Sequence, residues 1–417
     1  MNIILAHHQI QDWGGIVNYT ENLIVGLRSH GHTCTPVMLK NKGVSGIPKI
    51  KDRSLDAGWE IGAGTGLQIH QKQGWEGMPS INYIKEFTTW NDITDSADLI
   101  IWIIPVPTCT KANKGDIAWV DLYESMVPQV CVIHDGNMPK LYPHLLNLCQ
   151  RGLLDGIVCV HDAAYNSAKV LPVRRILLPN PHNVEEVDDT PVSERDEGLV
   201  SLQTFKRWKR VDDLIRAIPY MATTHDKIIC GGGIEYHYLT SDTKCKKEYM
   251  TQDGDRIWDV AEMYGMDFKG YVTTEERDEL LSTNRLLVDP SWSKNYSGYG
   301  AHFNRVMIEA MVKGCVPVCT DLAMRDSSLF VAGKHYLEIP YDISPEGYGK
   351  QLSEWIENTT LLGLIQNNNF DLLWLFNREY IASKLVEFAL GNLGAIGDST
   401  PELEAACEKK LAHFEDL

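Results

Sequence analysis

The sequence predicts an α/β protein made of two doubly wound Rossmann-like domains that face a cleft. Short apolar runs rich in β-branched residues alternate with helical segments, which is the rhythm of βαβ units in a parallel sheet. This rhythm occurs twice, on either side of the acidic segment 183–198, whose composition is typical of a linker. The length of 417 residues also exceeds what one ordinary hydrophobic core holds, so two domains are expected.

The first domain is predicted to span residues 1–185. Its opening run, NIILAH, is a first strand, and Gly14 and Gly15 begin the helix that follows and ends near Gly31. Further strands are expected at 35–39, 99–106, 129–134 and 156–161. Residues 41–89, rich in Gly, Lys and Trp, interrupt the rhythm. They are interpreted either as an acceptor-binding loop or as a poorly ordered excursion.

The second domain is predicted to span residues 196–385, and residues 386–417 are expected to form a helical tail that packs back on the first domain. Strands of the second domain are predicted at 199–205, 227–230, 267–270, 286–289 and 316–319. Helices are predicted at 211–221, 256–264, 274–282, 303–313, 348–358 and 369–393. Ligands of such sheets bind at the carboxyl ends of the strands, so residues there are the first candidates for a site.

Composition narrows the class of protein. Hydrophobic residues make up 44% and charged residues 23%, which is a globular balance, and no apolar run approaches the roughly 20 residues that span a bilayer. The ten cysteines form no CxxC pair and mostly lie in apolar runs, so we expect buried free thiols in a reducing cytoplasm. The net charge of −17 disfavours non-specific coating of nucleic acid but leaves room for a local basic groove.

The segment 290–321 combines several candidate features. It reads as a loop, a helix and a strand, and a loop that feeds a helix N-terminus can bind phosphate through free backbone N–H groups. Glu309 is the one acidic residue inside this apolar helix, and its carboxylate needs a partner, such as a sugar diol, to offset the cost of burial. The loop residues singled out are Ser297, Gly298, Tyr299 and Gly300.

Strand ends supply the other candidates. His134 and Asp135 close a buried strand, where they either bind sugar hydroxyls and move a proton, or are simply packed and cap a turn. Arg207 and Lys209 follow a strand, where they either neutralise a diphosphate or form a solvated surface cluster. Gly232, like Gly15, allows close approach of a ligand to the backbone, or marks an ordinary turn.

Known catalytic and metal motifs are largely missing. The sequence contains no P-loop, no GxSxG and no HExxH. The Asp-Gly-Asp at 253–255 is better explained as the cap of the next helix than as a metal ligand pair. No metal site is therefore predicted.

The order of these segments resembles the GT-B glycosyltransferases, family 4 in particular, over most of the chain. GGIVNYTENLIVGLRSHGHTCTPVML is similar to the family's glycine-rich opening loop, first helix and second strand. VSLQTFKRWKRVDDLIRAI is similar to the strand, loop and helix that carry its diphosphate-binding lysine, and IEAMVKGCVPV resembles its LEAMACGxPVV motif. The resemblance implies a retaining transfer of sugar from a nucleotide-sugar, expected to be UDP-linked, with no cofactor and no donor-site metal.

The same resemblance implies roles for particular residues. Lys209 and the loop Ser297–Gly300 would hold the diphosphate, Glu309 would grip the ribose hydroxyls, and His134 would face the transferred sugar. Two positions depart from the family pattern. Ala301 stands where the family has a first glutamate, and Thr204 stands where it has an arginine, whose role Arg207 or Lys206 would take.

Shorter matches are similar to the DNA α-glucosyltransferases of the T-even bacteriophages, which glucosylate hydroxymethylcytosine. These matches are the His134-Asp135 pair, the Trp208-Lys209 pair and the run DLIIWIIPVPTCT. They make Asp135 a catalytic candidate and hydroxymethylcytosine in double-stranded phage DNA the expected acceptor. The alternatives are a family 4 enzyme of cell-surface polysaccharide synthesis, a sugar-nucleotide epimerase and a non-catalytic binding protein. Either a monomer or a homodimer is expected.

Overall fold

The computed structural model describes residues 1–7, 15–39, 67–68, 94–103, 123, 125–134, 144–204, 209–232, 257–270, 272–291, 304–324, 327–392 and 395–396. They belong to two compact units. The first unit comprises the described residues of Met1–His182 and Asn377–Leu417, and the second comprises those of Asn183–Phe376. Each unit has its own sheet and its own core, which confirms the predicted class of two doubly wound α/β domains.

Each predicted run contains a strand, and four further short strands, Leu67–Gln68, Arg174–Leu177, Leu337–Ile339 and Ala395–Ile396, were not predicted. The described strands are β1 (Asn2–His7), β2 (Thr33–Leu39), β3 (Leu67–Gln68), β4 (Leu99–Trp102), β5 (Gln129–Ile133), β6 (Gly156–Cys159), β7 (Arg174–Leu177), β8 (Asp196–Thr204), β9 (Asp226–Gly232), β10 (Asp267–Gly270), β11 (Asn284–Asp289), β12 (Val316–Thr320), β13 (Leu337–Ile339) and β14 (Ala395–Ile396). Strands β4, β5, β6, β11 and β12 are buried along their whole length, as expected for parallel strands covered on both faces.

The described helices lie between these strands and after the last parallel one. They are α1 (Gly15–Ser29), α2 (His144–Gln150), α3 (Asp162–Ser167), α4 (Val211–Ala217), α5 (Ile257–Met263), α6 (Thr274–Thr283), α7 (Arg305–Val312), α8 (Asp321–Met324), α9 (Pro345–Glu357), α10 (Thr359–Leu372) and α11 (Arg378–Ala389). Helix α6 begins with a reciprocal capping box, in which the Thr273 side chain accepts the Glu276 N–H and the Glu276 side chain accepts the Thr273 N–H.

Six neighbouring strands of the first sheet have the same order as the six strands of the second, and β7 and β14 extend the first sheet at one edge. The first sheet runs β14-β7-β6-β5-β4-β1-β2-β3, with β3 and β14 antiparallel to their neighbours, and the second runs β10-β9-β8-β11-β12-β13, all parallel. Numbered within the second sheet, that order is 3-2-1-4-5-6. It reverses direction between β8 and β11, and the corresponding reversal in the first sheet lies between β1 and β4.

The end of the chain differs from the prediction. The expected single helix 369–393 is two helices, α10 and α11, because a 3₁₀ turn at Leu373–Phe376 precedes Asn377, whose side chain accepts a hydrogen bond from the Tyr380 N–H at 2.8 Å. The predicted boundary at residue 385 falls inside α11. This helix belongs to the first unit because Ile381, Leu385 and Phe388 are completely buried in the first core.

The predicted linker is anchored at its end. Arg195 is 5% exposed, and its guanidinium donates to the carbonyls of Thr190 (3.1 Å), Ser282 (2.7 Å) and Lys313 (2.6 Å). The last residues of the predicted linker, from Asp196, are already strand β8. The predicted linker is therefore too long at its carboxyl end, because acidic composition alone did not locate the start of β8.

The described residues bear on two expectations from composition, one about the cysteines and one about membrane-spanning helices. Seven cysteines are buried free thiols, as predicted: Cys34, Cys131, Cys149, Cys159, Cys230, Cys315 and Cys319. The described helices include none with the length and apolar character needed to cross a membrane. The segment 41–89 lies outside the described residues apart from β3, which pairs with the end of β2.

Candidate functional site

The carboxyl edge of the second sheet places three predicted residues together by topology. Lys209 follows β8, Gly232 ends β9, and Glu309 lies in α7, the helix that follows β11. The strand order reverses between β8 and β11, and crevices at such reversals are the usual ligand sites of doubly wound sheets. The candidate site of this unit is therefore the gap between the ends of β8 and β11.

A buried carboxylate occupies this gap. Asp289, the last residue of β11, is 1% exposed, and its Oδ2 lies 4.0 Å from the Lys209 ammonium nitrogen. Its Oδ1 accepts the Ser291 N–H at 3.0 Å and the Ser291 hydroxyl, and its Oδ2 accepts the side-chain amide of Asn304. Burial alone would raise the pKa of Asp289, but the charge of Lys209 and these hydrogen bonds hold it below its usual value.

The backbone around Asp289 is fixed from the next strand. The hydroxyl of Thr320, which ends β12, donates to the Ser291 carbonyl at 2.6 Å, and Ser291 itself is fully buried. The ends of β11 and β12 are thus joined through Ser291. Asp289 sits in a rigid turn in which its side chain accepts the N–H two residues on.

The backbone turn that carries Lys209 is fixed by contacts of the next residue, Arg210. Arg210 has a φ of 50°, in the left-handed region that a non-glycine residue rarely adopts. Its guanidinium lies 4.5 Å from the centre of the Tyr341 ring, donates to the Tyr341 carbonyl at 3.0 Å and pairs with Asp213. These contacts offset the backbone strain and fix the turn that presents Lys209.

The helix α7 begins at this site without a side-chain cap. Asn304 is its N-cap residue by backbone conformation (φ −68°, ψ 148°), but it makes no side-chain capping hydrogen bond. Asparagine normally accepts an N–H of the first turn at this position, whereas here the side-chain amide donates to Asp289. The Asn304 side chain therefore accepts no N–H of the first turn, in which the Met307 N–H donates to the Asn304 carbonyl at 2.9 Å.

Glu309 has partners within the protein. Its side chain is 11% exposed, and its Oε1 lies 2.9 Å from both Arg277 Nη1 of α6 and Arg305 Nε of its own helix. The partner that this carboxylate was expected to need is therefore supplied within the protein, by two arginines. The i,i+4 spacing of Arg305 and Glu309 is visible in the sequence, whereas the contact with Arg277 depends on how α6 packs on α7.

The first unit brings its predicted residues to the carboxyl edge of its own sheet. Gly15 begins α1, and the ring of Tyr19 from the same helix meets the His134 ring edge-on at 4.8 Å. The His134 Nε2–H donates to the carbonyl of Ile103, just beyond β4, at 3.1 Å. Burial lowers the pKa of His134 to about 4, against the opposing effect of this hydrogen bond, so the imidazole is neutral at physiological pH.

A second histidine continues the pattern on the next strand. The His161 Nδ1 accepts the Ala164 N–H at 3.1 Å as the N-cap of α3, so its proton sits on Nε2. That Nε2–H donates to the His134 carbonyl at 3.0 Å. The residues that follow β4, β5 and β6 are thus linked by two histidines, an arrangement called the histidine ladder below (Ile103, His134 and His161).

Several predicted residues lie outside the described part of the chain. They are Asp135, Arg207, Ser297, Gly298, Tyr299 and Gly300, as well as Ala301. Sequence reasoning also missed residues that the structure brings to the two edges: Tyr19, Arg277, Asp289, Ser291, Asn304 and Arg305. For Asp289 a signal existed, since a carboxylate ends the otherwise apolar run LLVD.

Comparison with known proteins supports the fold. No protein-family model matches the chain, and no curated protein matches it significantly. Among solved structures, the chain is similar to HepE from Anabaena in complex with UDP-glucose, with a TM-score of 0.59 and 14% identity over 94% of this chain and 100% of that one. It is also similar to a glycosyltransferase from Rickettsia africae, with a TM-score of 0.61 and 11% identity over 94% and 99% of the two chains.

A third solved structure extends the likeness. Sucrose-phosphate synthase from Thermosynechococcus elongatus is similar with a TM-score of 0.58 and 16% identity over 93% of this chain and 98% of that one. At these identities the similarity shows the fold. The chain has the two-domain α/β fold of the GT-B glycosyltransferases.

Proposed function

We propose that this protein is a glycosyltransferase that moves a sugar from a UDP-sugar to an acceptor hydroxyl. The observation that carries the proposal is the strand reversal of the second sheet, where Lys209 and the uncapped start of α7 meet around Asp289. A cation and a helix N-terminus at one point suit a diphosphate. HepE, which has a similar fold, was crystallised with UDP-glucose.

The roles of single residues follow from this placement and from the resemblance to family 4. Lys209 neutralises the charge that grows on the diphosphate as the sugar leaves. Glu309 binds the ribose through Oε2, since its ion pairs with Arg277 and Arg305 both engage Oε1. His134 is neutral, and because its Nε2 donates to Ile103, its Nδ1 is the acceptor for a sugar hydroxyl.

We further propose retention at the anomeric carbon, with no metal in the donor site. In a front-face reaction the leaving phosphate accepts the proton of the acceptor hydroxyl, so no protein nucleophile is required. Asp135, predicted beside His134, is the residue we assign to the reacting centre. The role of Gly15 and Gly232 is to let the ligand approach the backbone, and Arg207 with the loop Ser297–Gly300 completes the phosphate contacts.

For the acceptor we propose 5-hydroxymethylcytosine in DNA, modified in the cytoplasm of a phage-infected host. The support is the His134-Asp135 pair, the Trp208-Lys209 pair and the run DLIIWIIPVPTCT, which resemble the T-even phage enzymes. The protein is to be incubated with a panel of UDP-sugars and with hydroxymethylated DNA, unmodified DNA and simple glycans, and products read by mass spectrometry. A mass gain on hydroxymethylated DNA alone is expected, whereas a gain on glycans alone would assign the acceptor to the polysaccharide alternative.

The reaction class is tested separately. Proton NMR of the product is expected to show the anomeric configuration of the donor. Conversion of the UDP-sugar into another UDP-sugar without any acceptor would contradict transfer and would indicate an epimerase instead.

A further inference from the structure

We infer that Asp289 is a positioning residue that fixes Lys209 and the N-terminus of α7 relative to each other, so that both face the diphosphate of the donor. The inference rests on the proposed function and goes beyond it, because it assigns a role to a carboxylate that never touches the ligand. Its evidence is the contact geometry at the end of β11.

Asp289 is a charged residue buried at the end of an apolar strand. The three residues before it, Leu286, Leu287 and Val288, are fully buried and apolar, and Asp289 is 1% exposed. A buried carboxylate carries a large desolvation cost, and replacing a buried ion pair with apolar residues is often neutral or stabilising. Stability alone therefore does not explain the charge at this position.

The partners of Asp289 come from the two sides of the strand reversal. Lys209 follows β8, whereas Asn304 begins α7, and the two side chains meet on Oδ2 of one carboxylate. The two positions are 95 residues apart in the sequence, so this carboxylate is the shared contact between them. A neutral or apolar side chain at position 289 would leave the Lys209 ammonium without this opposite charge.

Asp289 also keeps the start of α7 open. By engaging the amide of Asn304, it directs that side chain away from the first-turn N–H groups that an N-cap asparagine usually satisfies. Of the two N–H groups that an N-cap side chain can accept, that of Met307 donates to the Asn304 carbonyl at 2.9 Å, so the Val306 N–H is the one proposed to donate to an incoming phosphate oxygen. The carboxylate thus acts through Lys209 and through Asn304.

Charge alone and a positioning role for Asp289 predict opposite changes in ligand affinity when the carboxylate is removed. A negative charge beside a diphosphate site repels the ligand, so its removal would tighten binding if charge alone mattered. If Asp289 positions its neighbours, its removal weakens binding instead. The sign of the change in affinity therefore separates the two accounts.

The experiment is isothermal titration of the full-length protein with UDP, comparing wild type with Asp289→Asn. We expect Asp289→Asn to weaken UDP binding about 10-fold or more, the size of a lost contact to a charged group. The matched control is Asp321→Asn, a carboxylate just beyond β12 whose Oδ1 accepts the N–H groups of Leu322 and Tyr341. This control is expected to bind UDP like wild type, and equal or tighter binding by Asp289→Asn would overturn the inference.

A second variant keeps the test independent of folding losses. Asn304→Ser installs a good N-cap and removes the amide that donates to Asp289. We expect its melting temperature to equal or exceed that of wild type while its affinity for UDP falls several-fold. A variant as stable as wild type that binds UDP equally well would contradict the role assigned to the open helix start.

The result also separates this inference from the proposed function. If wild type binds no UDP, the proposed function fails and the inference falls with it. If wild type binds UDP and Lys209→Met weakens binding, but Asp289→Asn does not, the proposed function stands and the inference alone is wrong. In the Lys209→Met background, Asp289→Asn is expected to lose most of its effect, because the residue acts partly through Lys209.

Discussion

At the scale of one residue, the Glu309 carboxylate is held by one arginine of α6 and one of its own helix. Its Oε1 is held at 2.9 Å by Arg277 and by Arg305, and its side chain is 11% exposed. Because both arginines engage Oε1, the proposed ribose contact falls to Oε2. The proposed hold on the ribose diol is then a single contact rather than a bidentate one.

The ribose contact of Glu309 is testable with a matched pair of ligands. Glu309→Ala is expected to weaken UDP binding about 10-fold or more, as for a lost hydrogen bond to a charged group. Wild type should bind 2′-deoxy-UDP more weakly than UDP, and Glu309→Ala should bind the two alike, as measured by titration calorimetry. Glu276→Ala, which removes half of the α6 capping box, serves as the control. A variant at Glu309 that still distinguishes the two ligands would place the ribose contact elsewhere.

His134 makes a prediction about pH. Its pKa in the folded protein is about 4, below the ordinary 6.5, so the unfolded chain binds a proton that the folded protein does not. Stability from this group is therefore full above pH 6.5 and is lost as the pH falls toward 4, by up to about 3 kcal/mol.

The variant His134→Gln provides the measurement, since its amide nitrogen can replace the Nε2–H donor to Ile103 without titrating. Urea unfolding between pH 4 and 7 should show a smaller fall in the free energy of unfolding for this variant than for wild type. Parallel curves for the two proteins would show that the imidazole is not buried in its neutral form.

At the scale of elements, the histidine ladder ties together the ends of three neighbouring strands. Two interpretations of His134 were left open, a packed histidine and a residue that contacts sugar hydroxyls, and the histidine ladder makes the two compatible. The Nε2–H of the His134 ring donates to the Ile103 carbonyl, so the proposed contact with a sugar hydroxyl falls to Nδ1.

Two substitutions of His161 separate its cap from its link to His134. His161→Ala loses both the cap of α3 and the hydrogen bond to the His134 carbonyl, and should cost about 1–3 kcal/mol in the free energy of unfolding. His161→Asn restores a capping acceptor but not the link, so it should recover part of the stability while transfer activity stays low. Full recovery of activity in His161→Asn would show that the link does not position His134.

At the scale of the whole molecule, the first unit includes helix α11, which follows the second unit in the sequence. Helix α11 packs so closely on α1 that a Cβ added to Gly26 would clash with the Arg378 carbonyl. Similarly, the ring of Phe388 lies directly against Gly156. Helix α11 therefore packs on the first unit at two glycines, Gly26 of α1 and Gly156 of β6.

Gly26→Ala is expected to lower the melting temperature of the first unit, because neither backbone can move without opening the core. The matched control is Gly363→Ala in α10, where an added Cβ meets nothing within 4 Å and should stabilise the helix by about 0.5–1 kcal/mol. Differential scanning calorimetry of both variants distinguishes a steric effect from a general one. Equal melting temperatures for Gly26→Ala and wild type would contradict the close packing.

The sequence was sufficient for features set by local pattern. Buried strands such as β5 and β6 were predictable because continuous apolar runs report burial on both faces, and the Thr273 cap was predictable from its spacing to Glu276. The break before Asn377 was not, since the apolar pattern runs through Leu373–Phe376 without a proline or glycine. The partners of Asp289 and Glu309 were also out of reach, because Lys209 and Arg277 come to them from distant segments.

The central claim is that the strand reversal of the second sheet binds the diphosphate of a nucleotide-sugar. Titration calorimetry of wild type and Lys209→Met with UDP tests it most directly. The structure predicts binding of UDP by wild type, with affinity at least about 10-fold lower in Lys209→Met, since a contact between a cation and phosphate is lost. Absence of UDP binding by wild type, or equal affinity of the two proteins, would contradict it.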